Sequence, residues 1–504
     1  MRVSCYRIVV LLSLLNFSLA QYLVLNFSDD IFLSGFDNNS TNAYSDSDGD
    51  GFGQSESTSD HEHDPGSWRP IFELDDSSTV DLTLTRYYSG LQKIISAASE
   101  GNTRFMEEGV TELEVFASAG DLHAKSVMGF VYGIGMIREK SEAKSFLQHQ
   151  LAAEGGNMQS KMALAYRYIR LDMHDKAAQL YSELAETAFN SFLFCKDYTT
   201  FVPIRIHRGP VQDTGMLRKF HGEDSEDFKI IESYAQIGYP SAMNKTGLFY
   251  YFGLRGLRRD HAKGILWFSK ALENGELNSM VIMGDIYSRG AGVERNYAKA
   301  SLYSAFNGLG YLYLKGYGVD KNYTKAREFF EKVADTEDLS GIYYLGMMYL
   351  RGIGVKRDVK QATRYFLVAA NGGLPKAIYQ MAKMLHVAAR INKNLKMLKL
   401  AAALYKTVAE SGPWSSMSRW ALGAYVKGDV GKAFILYSRM SELGYEVAQS
   451  NAAWILDRYG EKSMCMGVSG FCTDKERQER AHALWLRASK QGNDYAAQLV
   501  GELF

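Results

Sequence analysis

The sequence has no excess of charge of either sign, very little proline, and no apolar stretch of membrane-spanning length. Its 504 residues include 57 acidic and 57 basic side chains, so the formal net charge is zero. This balance gives no indication that the protein binds nucleic acid or an anionic membrane. Seven prolines in a chain of this length favour a mostly helical protein, because proline breaks helix interiors. With 46% hydrophobic residues, the chain can still build a substantial core.

The motifs of common enzyme and metal sites are absent as well. The sequence contains no H-E-x-x-H, no C-x-x-C pair and no RING-like array of Cys and His. The stretch GDVGKA at 428–433 lacks the spacing and the Ser or Thr of a phosphate-binding loop. The stretch DSDGDG at 46–51 begins like a calcium loop, but Ser57 occupies the position of the required Glu, and His61 and His63 have no further ligands close by. We therefore predict no catalysis, no metal, no cofactor and no small-molecule substrate.

Cysteine is scarce, with four residues in the whole chain. Cys5 lies in the first twenty residues, and Cys195 is interpreted as a buried apolar side chain. Cys465 and Cys472 enclose the hexapeptide MGVSGF, and we predict that they close a small disulfide loop in an oxidising compartment. Two reduced thiols in a loop are the alternative.

The first twenty residues are predicted to be a secretory signal peptide. Arg2 and Arg7 form a positive region, residues 8–15 form a short apolar region, and Ser18-Leu19-Ala20 is a small-residue cleavage site. Sequons for N-glycosylation agree with the secretory pathway, and they predict glycans at Asn26, Asn38, Asn39, Asn244 and Asn322. These features predict that the mature chain enters the secretory pathway.

The main body of the chain repeats a phrase with a nearly constant period. The glycine or alanine within "LG-x-x-Y" recurs at steps of 37, 26, 36 and 36 residues, at Gly247, Gly284, Gly310, Gly346 and Ala382. A period of about 36 residues with two helices per unit predicts an all-α protein, an α-solenoid of antiparallel helix pairs. The step of 26 predicts one shortened repeat near residue 300.

Each repeat also carries a turn phrase, such as KGYGVDKNYTKA at 315–326 and RGIGVKRDVKQA at 351–362. Glycine is predicted to end the first helix in a left-handed conformation, and Asp or Asn is predicted to cap the second helix. The predicted caps are Asp260, Asn296, Asn322 and Asp358, and the predicted turn glycines are Gly316, Gly318, Gly352 and Gly354.

Composition and phrase spacing divide the chain into six parts. A signal peptide (1–20) precedes an acidic arm (21–80), which is rich in Ser, Asp, Asn and Gly and is predicted to be disordered. Degenerate repeats follow at 81–190, and a β-branched, proline-bearing loop insertion at 191–230 separates them from the central repeats at 231–390. C-terminal repeats at 391–504 end in an incomplete unit.

These repeats resemble the Sel-one-like repeat, a helix pair related to the tetratricopeptide repeat. The stretch 412–457, from GPWSSMSRW to NAAWILD, is similar to the most distinctive part of the luminal subunit of the HRD ubiquitin ligase complex, and SMCMGVSGFCTDKERQERAHALW resembles its plant branch. The resemblance covers roughly residues 90–500. It implies a non-catalytic adaptor of endoplasmic-reticulum-associated degradation, with a membrane RING-type ligase, a luminal lectin and misfolded glycoproteins as partners.

Three aromatic residues in the distinctive stretch, Trp414, Trp420 and Tyr445, are interpreted as packing between repeats, and the alternative makes them candidates for a partner-facing ridge. Members of the family that the sequence resembles carry further repeats and a C-terminal membrane span, which this sequence lacks. A truncated or degenerate paralogue with reduced function is therefore one expectation. A luminal or secreted repeat scaffold unrelated to degradation is the other alternative to the adaptor.

Overall fold

Twenty-one α-helices and no β-strand make up the part of the chain that the structure describes. The structure is a computed structural model, and the residues it describes are 82–194, 204–207, 226–252, 257, 260–289, 293–294, 296, 299, 306–316, 319–334, 339–412, 414, 417–459 and 473–502. The predicted signal peptide and acidic arm, the sequons at Asn26, Asn38 and Asn39, the residues Cys195, Cys465 and Cys472, and Gly318 lie outside the described residues. The all-α prediction is confirmed.

The helices form three groups along the chain. The N-terminal group comprises α1 (Leu82–Glu100), α2 (Thr103–Ser118), α3 (Leu122–Ile134), α4 (Glu142–Glu154), α5 (Met158–Arg170) and α6 (His174–Phe194). The central group comprises α7 (Glu226–Ile237), α8 (Pro240–Phe252), α9 (His261–Glu273), α10 (Leu277–Arg289), α11 (Phe306–Lys315), α12 (Tyr323–Ala334), α13 (Leu339–Arg351) and α14 (Val359–Asn371). The C-terminal group comprises α15 (Pro375–Asn392), α16 (Leu395–Glu410), α17 (Met417–Val426), α18 (Val430–Glu442), α19 (Glu446–Arg458), α20 (Asp474–Ser489) and α21 (Asp494–Glu502).

The described turns of the central group combine left-handed glycines with side-chain caps. Gly352 and Gly354 have φ of +69° and +65°, and Gly316 has φ of +76°, so each occupies the left-handed region that glycine tolerates best. The side chain of Asp358 accepts a hydrogen bond from the backbone N–H of Gln361 at 3.0 Å, and this bond satisfies one free donor at the start of α14. Asp260, Asn296 and Asn322 accept the equivalent bond three residues ahead.

The glycine of "LG-x-x-Y" lets the two helices of a repeat approach closely. A Cβ atom on Gly346 would lie 2.8 Å from Cε1 of Phe366, which is fully buried. The same relationship joins Gly310 to Phe330 and Gly247 to Phe268. The aromatic ring of the second helix therefore fills the space above the glycine of the first, and the repeated pair sets the spacing within each unit.

The shortened repeat lies between α10 and α11. Asn296 accepts a hydrogen bond from the backbone of Lys299, which places the start of the second helix there, yet the next repeat already begins at Phe306. In the regular repeat, by contrast, α13 and α14 together span Leu339–Asn371. The interval from the cap at Asn296 to the start of α11 is thus 10 residues, whereas the interval from the cap at Asp358 to the start of α15 at Pro375 is 17 residues.

The N-terminal group packs against the C-terminal group. Helix α6 packs on α15 and α16, and α1 packs on α18. The rings of Phe189 and Tyr379 stack at 5.0 Å between centroids across this contact. One core cluster runs from Tyr87 in α1 to Ala496 in α21. The chain therefore turns back on itself, and the central group connects the two packed groups.

Residues 204–207 are the described part of the chain between α6 and α7. Helix α6 extends to Phe194, and α7 begins at Glu226. Between them, residues 204–207 are docked on the C-terminal group, where Ile206 is fully buried. No helix in the described ranges is both long and apolar enough to cross a bilayer.

Candidate interaction surface

The three aromatic residues that are candidates for a partner-facing ridge pack against the core. Trp414 and Tyr445 are 5% and 4% exposed, and the hydroxyl of Tyr445 donates a hydrogen bond to the backbone oxygen of Glu410 at 2.9 Å. Trp420 is half-buried and packs against the same core. These contacts favour packing between repeats over a partner-facing ridge, because the rings fill space between helices.

Two of the sequons lie in described residues, and both asparagines are engaged. Asn244 in α8 is 9% exposed, and its Oδ1 accepts a hydrogen bond from the hydroxyl of Ser279 at 3.0 Å. Asn322 is half-buried and caps α12 through the backbone N–H of Lys325. A glycan on Asn244 would have to displace its neighbours in the core.

A buried polar network joins the N-terminal and C-terminal groups. Arg439 of α18 is 5% exposed, and its Nη2 donates to Oγ of Ser126 at 2.6 Å and to Oε1 of Gln159 at 3.1 Å. Its Nη1 donates to Oε2 of Glu442 at 2.6 Å. A buried guanidinium is tolerated when its charge and its donors have partners, and here the partners come from α3, α5 and α18.

His149 of α4 completes this network. Its Nε2 lies 2.9 Å from Oε1 of Glu442, and its Nδ1 lies 3.1 Å from Oγ of Ser160. Burial raises the pKa of the Glu442 carboxyl, but His149 and Arg439 outweigh burial and hold this pKa below its ordinary value. Glu442 is therefore a structural anion that holds two distant parts of the chain together.

The segment 204–207 is clamped by the side chain of one asparagine. Oδ1 of Asn451 accepts from the backbone N–H of Ile206 at 3.0 Å, and its Nδ2 donates to the backbone oxygen of Ile204 at 2.8 Å. Arg205 forms an ion pair with Glu446, and the ring of His207 stacks on Tyr495 at 4.5 Å. These contacts bind residues 204–207 to α19 and α21.

Exposed apolar side chains concentrate at the start of the central group. Ile230, Tyr234 and Ile237 recur at intervals of four and three residues along α7 and share one face, and Ile237 is 73% exposed. Tyr239 is 55% exposed, and the rings of Tyr234 and Tyr239 meet edge to face at 5.4 Å. We call Ile230, Tyr234, Ile237 and Tyr239 the α7 apolar patch. Exposed apolar patches are common at surfaces that bind other proteins.

Acidic, His and Cys side chains form no group fit to hold a metal within the described ranges. The patch could have been found from the sequence, because the spacing of Ile230, Tyr234 and Ile237 is visible there. The buried polar network around Arg439 and the asparagine clamp could not be found in this way, because each joins residues more than 200 positions apart.

Comparison with known proteins assigns the repeats and the whole chain to known families. The Sel1 repeat family matches residues 240–276, 277–300, 305–335, 339–374, 417–445 and 470–493, and the second match is shorter than its neighbours, as the step of 26 residues predicts. Along its whole length the chain is 64% identical over 518 residues to "ERAD-associated E3 ubiquitin-protein ligase component HRD3A" of Arabidopsis thaliana, covering 76% of that protein. It is 58% identical over 511 residues to HRD3B of the same plant, covering 78%. This chain belongs to the HRD3 family.

Other similarities to this HRD3-family chain are more distant. "Protein sel-1 homolog 2" of Homo sapiens is 37% identical over 105 residues, which cover 21% of this chain and 14% of that protein. A protective antigen of uropathogenic Escherichia coli with an SLR fold covers 78% of this chain and 82% of its own, at 21% identity and a TM-score of 0.28. The family assignment rests on the two plant relatives.

Proposed function

We propose that this chain is a non-catalytic adaptor of the ubiquitin ligase complex of endoplasmic-reticulum-associated degradation. The observation that carries the proposal is the similarity of the whole chain to HRD3A and HRD3B, which are named as components of such a ligase. Its place of action is the lumen of the endoplasmic reticulum, in agreement with the predicted signal peptide. The membrane RING-type ligase is its first partner.

The architecture supports binding rather than chemistry. The buried ionisable cluster at Arg439, Glu442 and His149 is occupied in joining two groups of helices. The α7 apolar patch supplies what an adaptor for misfolded proteins needs, since unfolded polypeptides expose apolar side chains that folded proteins bury. We assign client binding to this patch, and misfolded luminal glycoproteins and the lectin that delivers them complete the set of partners.

Affinity purification from microsomes tests the proposal. Wild-type protein should recover the membrane ligase, a luminal lectin and a misfolded client. The double variant Ile230→Asp/Ile237→Asp should recover the ligase and lose the client. Val115→Asp is the matched control, because Val115 is a 62% exposed apolar residue of α2, outside the patch. Recovery of neither ligase nor lectin by the wild type would overturn the adaptor function, and unchanged client recovery by the double variant would overturn the role of the patch.

A luminal or secreted scaffold unrelated to degradation is the second candidate. The repeat fold favours it as much as it favours the adaptor, because repeat arrays bind diverse partners. Maturation of the glycans beyond the high-mannose form would support this candidate, since it would show that the protein leaves the endoplasmic reticulum. Retention together with the ligase would exclude it.

A further inference from the structure

A cleft of about 130 Å³ opens where the N-terminal and C-terminal groups meet. Helices α3, α4 and α5 form one wall, and α18 and α20 form the other. Apolar residues such as Ile134 and Leu484 lie in both walls, beside a concentration of charged side chains. The cleft therefore belongs to the long-range contact between the groups.

Positive charge dominates this cleft. Five cationic side chains line it, Lys140, Arg167, Arg170, Arg480 and Arg487, and the carboxylates that line it are those of Glu142 and Glu442. Both carboxylates are already engaged. Glu142 pairs with Arg167 at 2.7 Å, and Glu442 accepts from Arg439 and contacts His149.

The remaining cations lie within electrostatic range of one another. Burial lowers the pKa of Arg487 and Arg170 lowers it further, whereas Glu142 and Glu442 oppose this effect without reversing it. Burial also lowers the pKa of Lys140, and Arg480 and Arg487 add to this effect. Within the part of the chain that the structure describes, neither Arg170 nor Arg487 forms an ion pair. Like charges gathered in a half-buried cleft repel each other, and a bound anion would relieve that repulsion.

The chain itself contains a segment of matching charge. Residues 21–68 include ten carboxylates and no Lys or Arg, and because the whole chain is neutral, the remainder has an equal positive excess. Seven of the ten carboxylates fall between residues 46 and 64. This segment leads into α1, and α1 packs on α18, which forms one wall of the cleft. The 18 residues from Asp64 to Leu82 can span up to about 60 Å, whereas α1 and α18 laid end to end measure roughly 48 Å.

We propose that the cleft is a binding site for acidic peptide segments, and that its occupant in this chain is residues 46–64. The forked guanidinium groups of Arg170 and Arg487 suit carboxylates, because they can donate two parallel hydrogen bonds to each one. An acidic segment in the cleft would touch both groups of helices at once, and would hold them together. This inference is independent of the adaptor function.

Zero-length carbodiimide cross-linking of the full chain tests the occupant. This reagent joins a lysine amine to a carboxylate in contact with it, and Lys140 is the one lysine that lines the cleft in the described residues. Mass spectrometry should find Lys140 joined to carboxylates of residues 46–64. The variant Arg170→Gln/Arg487→Gln should reduce this cross-link about tenfold or more, since each charge-assisted bond contributes roughly a factor of ten. The control Lys396→Gln/Lys427→Gln removes the same charge from exposed sites and should leave it unchanged.

A titration separates the possible sources of the anion. Full-length protein in which the seven carboxylates of 46–64 are replaced by Asn or Gln should bind a synthetic peptide of residues 46–64 more tightly than the wild type does. Adding Arg170→Gln/Arg487→Gln should abolish that binding, with the melting temperature as the check on folding. Binding of inorganic phosphate without binding of the peptide would overturn the proposal in favour of a small oxyanion. Cross-links spread evenly over exposed lysines would overturn it outright.

Discussion

Nε2 of His149 lies 2.9 Å from Oε1 of Glu442, although 293 residues separate them in the chain. The contact joins α4 of the N-terminal group to α18 of the C-terminal group. Ser126, Gln159 and Arg439 extend it into a network with the same two sides. Repeat proteins make most of their contacts between neighbouring units, so this network is the feature that distinguishes the present arrangement from an open array.

Loss of the anion in this network should destabilise the fold strongly. Glu442→Gln keeps the shape of the side chain but leaves Arg439 buried without its counter-charge. We expect the free energy of unfolding to fall by about 3 kcal/mol, measured by denaturant titration. Glu183→Gln, which breaks the exposed pair with Lys161, should cost less than about 1 kcal/mol. Equal effects in the two variants would contradict the structural role of Glu442.

The same carboxylate should make stability depend on acidity. The pKa of Glu442 is lower in the folded state than in the unfolded state, so the unfolded state binds the proton more tightly. Its contribution is complete above the unfolded pKa of about 4.3, and it is lost as the pH falls through the lower folded pKa. The difference in stability between wild type and Glu442→Gln should therefore shrink in acid. A constant difference from about pH 7 to about pH 3 would refute this linkage.

Glycines of the repeat phrase should be sensitive to a single methyl group. Gly346→Ala places a Cβ 2.8 Å from Cε1 of Phe366, and the displaced ring should cost about 1–3 kcal/mol of stability. Gly423 in α17 offers the matched control, because no atom lies within 4 Å of the position that a methyl group would take there. Gly423→Ala should stabilise its helix by about 0.5–1 kcal/mol. Thermal denaturation of both variants measures the two changes in stability, and equal changes would contradict the role of the Gly346–Phe366 contact.

The asparagine clamp should control the docking of residues 204–207. Asn451→Leu removes both side-chain hydrogen bonds and leaves the N–H of Ile206 and the carbonyl of Ile204 unpaired. We expect a loss of about 2 kcal/mol, seen as faster hydrogen exchange at the Ile206 amide. Asn451→Asp retains the acceptor for Ile206 and should keep most of the protection at that amide. Unchanged exchange in the leucine variant would show that the clamp is not needed.

Glycan occupancy should follow the engagement of each asparagine. Asn244 is buried against Ser279 and should carry no glycan in the folded protein, and Asn322 should carry less than Asn38 or Asn39. Mass spectrometry of glycopeptides from the endoplasmic reticulum measures all four sites. Full occupancy of Asn244 in stable, folded protein would disagree with its place in the core.

Much of the local structure was accessible from the sequence. The caps at Asp260 and Asp358 and the turns at Gly316 and Gly352 depend on backbone conformation within a few residues, so their signals are local. Trp414 and Tyr445 show the limit of the same reasoning. A large aromatic residue fits either a core or an interface, and the sequence alone does not say which neighbours surround it.

The sequence by itself determined the helical repeat, its period of about 36 residues and its one shortened unit, because these arise from patterns between near neighbours in the chain. Tertiary structure decided that the N-terminal helices return to the C-terminal ones, and thus where Arg439, Glu442 and His149 meet. That outcome depends on shape and charge complementarity between surfaces that lie far apart in the chain. Such matching leaves no periodic trace, since each contact is made once and between different residue types.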